Sequence, residues 1–204
     1  HDLRTPLARL RLETEMSVSD TQAREHMAAD IEQVNAIIDK FLDYARPDHL
    51  TPERVNLNQV IDSAIYALSH DNTTRVLTSI PPDTVVMGDA VELQRVFSNL
   101  LENAQRYGKD PRSGIATVEI AAKNKDDAVL VKLRDHGAGV SPEMLEQLTQ
   151  PFFRGDASRS AATGTGLGLA IVERAIARMG GRFALANSST GGLAAHIKLP
   201  RAAA

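Results

Sequence analysis

Residues 99–107 have the sequence Asn99-Leu100-Leu101-Glu102-Asn103-Ala104-Gln105-Arg106-Tyr107, in which polar side chains interrupt an otherwise amphipathic helical pattern. On a helix, Asn99, Asn103 and Arg106 would share one face. Amide oxygens are hard ligands that suit Mg²⁺, which usually binds few protein groups together with phosphates and waters. The pattern favours Asn103 as a magnesium ligand and Arg106 as a phosphate contact. An isolated pair of asparagines would more often be exposed helix residues.

Downstream, Asp135-His136-Gly137-Ala138-Gly139 directly follows a predicted strand. A rigid element would hold the carboxylate, and the glycines would allow close backbone approach. Asp135 can accept a hydrogen bond from an adenine amine. Many strand-to-loop turns share this pattern, so its position before the next motif gives it weight.

That next motif is Gly164-Thr165-Gly166-Leu167-Gly168-Leu169, which leads straight into a predicted helix. Its backbone N–H groups would lie at the positive end of the helix, where phosphates bind. It is neither a Walker loop nor a dinucleotide-binding fingerprint. Between the two motifs, Pro151-Phe152-Phe153-Arg154 could anchor a mobile lid and supply a cation from Arg154 or Arg159, although packing alone would also explain the phenylalanines.

The chain opens with His1-Asp2-Leu3-Arg4-Thr5-Pro6. A neutral imidazole is a nucleophile, and a carboxylate beside it could accept a proton. Thr5 lies one helical turn after His1 and could position a water there. Taken alone, a histidine beside an aspartate is more often a solvated surface pair.

The apolar spacing predicts two helices, from Leu3 to Met16 and from about Asp20 to Arg46, followed by a linker near Pro47 and Pro52. A hairpin this small cannot bury its apolar face alone, which favours a dimeric four-helix bundle.

The pattern in the rest of the chain is α+β. It predicts helices over 57–68, 90–107 and 167–179, a short helix over 143–148, strands over 75–80 and 85–87, a hairpin of 117–121 with 128–133 around the turn 123–127, and a final hairpin over 183–199 that turns at Gly191-Gly192.

Composition excludes several classes of function. The 204 residues carry a formal net charge of -3, which argues against nucleic acid as a partner. The absence of cysteine excludes disulfides and thiolate metal sites. No apolar run approaches the ~18 residues that span a bilayer. Because the chain does not begin with Met, we expect it to be part of a longer protein.

The ordered motifs resemble those of the HisKA-type sensor histidine kinases, most closely the EnvZ-like osmosensor subgroup, over essentially the whole chain. The motifs that carry the resemblance are the H box at His1 to Pro6, the N box at Asn99 to Asn103, G1 at Asp135 to Gly139, the F box at Phe152-Phe153, and G2 at Gly164 to Gly168. The resemblance implies a helical hairpin (dimeric four-helix bundle) in 1–47, truncated at its start, a linker in 48–54, and an α/β two-layer sandwich of the histidine kinase/gyrase ATPase type in 55–204.

The resemblance also implies an activity, which is Mg²⁺-ATP-dependent autophosphorylation of His1, with transfer to an aspartate of an OmpR-like response regulator and Thr5-dependent dephosphorylation of that regulator. The catalytic residues would be His1, Asp2 and Thr5, with Asn103 as the metal ligand. The ATP-binding residues would be Asn99, Asn103, Arg106, Tyr107, Asp135, Gly137, Gly139, Phe153, Arg154, Gly164, Thr165, Gly166, Leu167 and Gly168. The protein would be a homodimer and the cytoplasmic portion of an inner-membrane bacterial sensor, anchored only through segments upstream of His1.

Two alternatives remain open at this point. One is a plain ATPase, against which Asn99 argues, because hydrolytic relatives carry a general-base Glu one turn before the magnesium-binding Asn. The other is a non-catalytic dimerisation and docking module regulated by nucleotide.

Two features depart from the family pattern: His136 and Ala138 differ from the usual G1 residues, and the first helix is cut at His1. Because the helix is cut at His1, we expect this chain to bind nucleotide well and to accept phosphate poorly.

Overall fold

The computed structural model describes residues 4–45, 50–68, 73–110, 113–154 and 164–203. It begins with a hairpin of two helices, α1 (Arg4–Ser17) and α2 (Thr21–Tyr44). Asp20 caps α2, because its carboxylate accepts a hydrogen bond from the Ala23 backbone N–H at 2.9 Å. The predicted hairpin is confirmed, although α2 ends slightly before the predicted position.

Ion pairs between the two helices show that they run antiparallel. Arg4 near the start of α1 lies 2.6 Å from Asp39 near the end of α2, and Arg11 lies 3.1 Å from Glu32. All four side chains are largely exposed, so these pairs contribute little to stability. Apolar contacts between α1 and α2 must therefore stabilise the hairpin more than these ion pairs do.

One face of α2 leaves large apolar side chains substantially exposed. Ile31 is buried, whereas Met27, Val34 and Phe41 are all more than two-fifths exposed. These three residues recur every seven positions, as the seam of a coiled coil does. The hairpin therefore presents a continuous apolar stripe, Met27-Val34-Phe41, to its surroundings.

The second part of the chain is a two-layer α/β structure. Its elements are β1 (Glu53–Asn56), α3 (Leu57–Leu68), β2 (Thr74–Ser79), β3 (Val85–Gly88), α4 (Ala90–Tyr107), β4 (Ala116–Lys125), β5 (Ala128–Asp135), α5 (Pro142–Leu145), α6 (Gly168–Arg178), β6 (Arg182–Asn187) and β7 (Leu193–Pro200). β1 begins at Glu53, which lies inside the stretch predicted as linker. The linker boundaries 48–54 stay a prediction. Among the described residues, none of the helices combines the length and apolar composition that crossing a bilayer requires.

The main sheet has the order β2-β4-β5-β7-β6, and a separate small sheet pairs β1 with β3. β2 runs parallel to β4, and the other neighbours are antiparallel. α3, α4 and α6 bury their apolar faces against the main sheet around residues such as Phe97, Ile120 and Ile176. This layer of helices brings α4 and the start of α6 together near the end of β5, the central strand.

The sequence predicted most of these elements correctly, including both bounds of α3 and α4. Asp89 sets the start of α4, because its carboxylate accepts from two backbone N–H groups of the first turn. The turn predicted over 123–127 is wrong in length. β4 continues to Lys125, and Asp126, with φ of 51°, turns the chain with Asp127. The predicted helix over 143–148 is also shorter, at Pro142–Leu145.

Candidate functional site: a pocket between two helices and a glycine-rich loop

A cavity of about 640 Å³ opens between α4, the end of β5, the start of α6 and the last turns of α2. It is the size of a small-molecule site. Its lining contains most of the residues predicted for nucleotide binding. They are Asn99, Asn103, Arg106, Tyr107, Asp135, Gly139, Phe153, Arg154, Gly164, Thr165, Gly166 and Gly168. Parts of the chain that are far apart in sequence therefore meet at one cavity.

The wall formed by α4 is polar over two turns. Asn99 is 4% exposed, and its amide NH₂ donates to the Arg95 backbone carbonyl at 2.8 Å, which fixes the direction of its Oδ1. Asn103 lies one turn later, and Arg106 follows in the last turn. Among the described residues, Arg106 has no carboxylate partner within ion-pair distance. It can therefore pair with an anion that enters the cavity.

Asp135 forms the floor of the pocket at the end of β5. Only 6% of its surface is exposed, and its Oδ1 accepts from the backbone N–H groups of Gly137 at 2.9 Å and Leu193 at 3.0 Å. Two fixed donors on one oxygen orient the carboxylate and leave Oδ2 as the oxygen for a ligand. A ligand that donates a hydrogen bond, such as an exocyclic amine, matches this acceptor.

Glycine is required around Asp135 for steric reasons. A Cβ on Gly192 would overlap the Asp135 carbonyl oxygen, and a Cβ on Gly137 would lie 2.6 Å from the Tyr107 carbonyl oxygen. Gly192 also has φ of 83°, which favours glycine. The absence of a Cβ at both positions thus allows β5, β7 and the end of α4 to approach closely around the carboxylate.

The glycine-rich loop before α6 packs on the aromatic segment and on α4. The Phe152 backbone N–H donates to the Gly166 carbonyl at 2.9 Å, and Gly166 has φ of 69°. A Cβ on Gly164 would lie 2.7 Å from the Arg106 guanidinium and 3.0 Å from the Tyr107 hydroxyl. The loop thus lies over the same residues that line the wall of α4.

The start of α6 supplies hydrogen-bond donors to the cavity. Its N-cap residue, Leu167, makes no side-chain cap, so the first backbone N–H groups of the helix lack the partner that a capping side chain provides. Gly168 approaches Asn99, since a Cβ there would lie 3.3 Å from Asn99 Oδ1. The positive end of α6 therefore lies beside Asn99 of α4, and an N-terminal helix end of this kind suits a phosphate.

A lysine that the sequence did not point to also lines the pocket. Lys40, near the end of α2, donates from Nζ to Asn99 Oδ1 at 2.8 Å and to Glu102 Oε2 at 3.1 Å. No local pattern marks Lys40, because its partners lie 59 and 62 residues away along the chain. Glu102 likewise had no predicted role, although it lies inside the motif at 99–107.

The donor set on α4 fits a magnesium ion. Asn99, Glu102 and Asn103 line the cavity with amide and carboxylate oxygens, the hard ligands that Mg²⁺ prefers. Over the described ranges, no group of three or more His, Cys, Asp or Glu side chains could enclose a metal by itself. An ion held by one or two protein oxygens together with phosphates is the arrangement that such a wall allows.

Several predicted residues lie away from the cavity surface. The Leu167 side chain is fully buried, so only its backbone is near the site. Gly137 acts through its N–H and its lack of a Cβ. Thr5 is an exposed residue of α1 and is not part of the pocket lining. His1 and Asp2 lie outside the described residues.

One titration shift occurs beside the pocket, on α5. The Glu143 backbone N–H and then the Ser141 hydroxyl hydrogen-bond to the Glu143 carboxylate and lower its pKa. The group is fully exposed and belongs to the cap of a short helix. It has no direct place in the site.

Two family models match the chain. Residues 88–203 match the histidine kinase-, DNA gyrase B- and HSP90-like ATPases, and residues 1–50 match the His Kinase A (phospho-acceptor) domain. The chain belongs to the histidine kinases. The matched ATPase region contains α4, the end of β5 and the glycine-rich loop, so most of the pocket lies within the ATPase unit of this kinase core.

Curated relatives agree with this family. Sensor protein RstB of Escherichia coli strain K12 is 37% identical over 202 residues, which are 94% of this chain and 45% of the relative. Sensor histidine kinase CpxA of the same strain is 31% identical over 98% of this chain and 45% of its own length. The kinase core thus spans about half the length of the curated relatives that it matches.

Solved structures show the same fold. The histidine kinase domain of the E. coli osmosensor EnvZ is 31% identical, with a TM-score of 0.55 over 76% of this chain and 92% of that one. Full-length ShkA in complex with AMPPNP has a TM-score of 0.79 over 100% of this chain and 45% of that one, at 22% identity. The predicted α+β class, a helical hairpin followed by a two-layer sandwich, is confirmed.

Proposed function

We propose that this chain binds Mg²⁺-ATP in the described pocket, transfers the γ-phosphoryl group to His1, and passes it on to an aspartate of a response regulator. The observation that carries the proposal is the convergence of Asp135, the polar wall of α4 and the uncapped start of α6 on one cavity. Each part matches a different part of ATP. Membership of the histidine kinases and the His Kinase A match at 1–50 support His1 as the acceptor.

The adenine would bind at the Asp135 end of the cavity. Its amine donates a hydrogen bond to Asp135 Oδ2, since Oδ1 is already held by two backbone donors. Tyr107 and Gly139 also line the cavity and are predicted to contact the nucleotide. The structurally similar ShkA was solved in complex with AMPPNP, which supports an adenine nucleotide here.

The phosphates would extend toward the start of α6 and Arg106. Asn103, with help from the neighbouring oxygens of α4, would hold Mg²⁺, which neutralises charge on the phosphates during transfer. The protein's own contribution is positioning and fixed charge, from the N–H groups of α6 and the guanidinium of Arg106. Arg154 and Thr165 also line the cavity, and the loop that carries Thr165 would cover the phosphates.

Asn99 favours transfer to histidine over hydrolysis. Its amide cannot act as a general base, and its NH₂ group is already held by the Arg95 carbonyl. A water near the γ-phosphate would therefore lack an activating carboxylate at this position. This feature argues against the plain ATPase.

Thr5 would support dephosphorylation of the regulator, and Asp2 would assist His1. An OmpR-like regulator is the partner that fits the matched sensor proteins, and a cytoplasmic placement below an inner membrane fits the same relatives. The unit boundaries 1–47, 48–54 and 55–204 belong to the same proposal.

The apolar stripe Met27-Val34-Phe41 would pair with a second copy of the chain to form a four-helix bundle. We expect Val34→Glu to convert a dimer into a monomer, because it would place a charge in the centre of the apolar contact, where side chains are desolvated. Light scattering after size-exclusion chromatography measures the mass directly. Gln33→Glu, which adds the same charge beside the stripe, should remain dimeric, and a dimeric Val34→Glu protein would contradict the proposed seam.

The proposed function is tested with γ-labelled ATP and a version of the protein that carries residues upstream of His1. We expect label on the protein that depends on Mg²⁺ and disappears in His1→Ala. Label retained by His1→Ala would overturn the acceptor assignment. Rapid release of free phosphate without phosphoprotein would instead identify an ATPase, and nucleotide binding without either product would identify a docking module.

A further inference from the structure

The end of α2 packs against the ATP-binding unit through charged and aromatic contacts. Asp43 lies 3.3 Å from Arg95 of α4, and the Tyr44 carbonyl accepts from Arg174 of α6 at 3.0 Å. The Arg174 guanidinium also lies 5.4 Å from the centre of the Tyr44 ring. Lys40 is the third member of this interface, which we call the α2 dock: Lys40, Asp43 and Tyr44.

Within the α2 dock, only Lys40 enters the pocket. Its side chain is about one-quarter exposed, and its ammonium group bonds to Asn99 and Glu102, the residues four before and one before Asn103. The oxygens that it occupies are among the hard ligands that could serve a divalent cation on this wall. The ammonium also compensates the negative charge of Glu102.

We propose that Lys40 is a positioning residue whose contacts depend on the metal. Mg²⁺-nucleotide and the Lys40 ammonium compete for the same oxygens on α4. Binding of Mg²⁺-nucleotide therefore releases the end of α2 from the ATP-binding unit. The proposal rests on the proposed function, because it assigns Mg²⁺-ATP to this pocket. An ammonium group and a divalent cation repel each other at short range in a partly buried site. They would also need the same oxygen lone pairs.

Each of the other contacts of the α2 dock among the described residues is individually weak. The Asp43 carboxylate is more than one-third exposed, and pairs of this kind contribute little. Tyr44 accepts a hydrogen bond from Arg174 through its backbone carbonyl, and its ring makes a cation–π contact with the same guanidinium. Loss of Lys40 should therefore free the ATP-binding unit from α2, which is the freedom that transfer to a histidine on the hairpin requires.

The test compares the wild-type chain with Lys40→Met, which removes the charge and keeps the stem, and with Lys40→Arg, which keeps the charge. Lys125→Met, at the exposed end of β4, is the matched control for charge removal. The Mg²⁺ concentration at half-saturation of a fluorescent ATP analogue is measured for each. We expect it to fall ~5-fold or more in Lys40→Met, a size typical of coupling between two binding events, and to stay near wild type in the other two.

Hydrogen exchange of residues 36–44 gives a second readout that needs no nucleotide. In the nucleotide-free state these amides should exchange faster in Lys40→Met than in wild type, and Mg²⁺-ATP should speed their exchange in wild type only. If Lys40→Met instead weakens nucleotide binding, Lys40 is a phosphate ligand and the proposal is overturned. An unchanged Mg²⁺ dependence in Lys40→Met also overturns it, whatever the exchange rates.

The two readouts separate this proposal from the proposed function. A wild-type chain that binds no Mg²⁺-nucleotide under any condition would contradict the nucleotide site itself. A chain that binds Mg²⁺-nucleotide equally well in wild type and Lys40→Met would contradict only the competition.

Discussion

Asn103→Ala is expected to reduce Mg²⁺-dependent phosphorylation of the protein by about 100-fold or more, the size of effect seen when a group that stabilises transition-state charge is removed. The substitution deletes the amide oxygen that the proposal assigns to Mg²⁺, while alanine keeps a good helix former in α4. The measurement is the initial rate of label incorporation from γ-labelled ATP at saturating Mg²⁺.

Gln94→Ala provides the matched control for Asn103→Ala. It removes an amide from the same helix, but Gln94 is exposed and does not line the cavity. Its rate should match wild type within a factor of about two, as expected for a surface substitution. If Asn103→Ala phosphorylates at the wild-type rate with an unchanged requirement for Mg²⁺, the metal lies elsewhere.

Asp135→Asn is expected to weaken ATP binding ~10-fold to 100-fold, which corresponds to loss of one hydrogen bond to a charged group. The Gly137 and Leu193 N–H groups require an acceptor at the position of Oδ1. The amide oxygen of asparagine must take that position, so its NH₂ group would face the adenine amine, and two donors would oppose each other. Titration of a fluorescent ATP analogue measures the change.

The same geometry predicts a change in base preference. Guanine carries a carbonyl oxygen where adenine carries its amine, so the NH₂ of Asp135→Asn would have an acceptor to bind. The ratio of GTP to ATP affinity should therefore rise in this variant. Asp127→Asn, at the exposed turn between β4 and β5, is the control and should retain the wild-type ratio. Equal ATP affinity in Asp135→Asn and wild type would remove Asp135 from the adenine site.

The elements of the fold were largely predictable because their signals are local. α4 has an aspartate cap, a strong apolar periodicity and a glycine immediately after Tyr107, and both of its bounds were predicted. The error at the β4–β5 turn has a local cause. Lys123, Asn124 and Lys125 are polar residues typical of turns, yet they continue the ladder because partners on β5 are in register with them. Tertiary pairing overrode the turn composition.

Most of the candidate site was also marked in the sequence. Asn103, Arg106 and Asp135 lie in short motifs whose spacing implies a shared face or a strand end, and all three line the pocket. The sequence could not give the orientation of the Asp135 carboxylate, since one of its two donors is the N–H of Leu193, 58 residues away. The spacing of residues within a motif can indicate which side chains share a site, but it carries no information about a hydrogen-bond donor on another strand.

The five ordered motifs, from the opening His1 to Pro6 to the glycines at 164–168, indicated the family and the principal candidate site residues, and the periodicity along the chain indicated the α+β class. These signals are readable in sequence because periodicity, capping and glycine requirements act over a few residues. Only the tertiary structure decided that Lys40 of the helical hairpin enters the pocket, and that Asn99 and Glu102 are its partners. A lysine on a helix face is ordinarily solvated, and only the packing of α2 against α4 and α6 gives this one fixed partners. Long-range contacts of this kind depend on the whole fold, which is why no pattern near residue 40 indicates them.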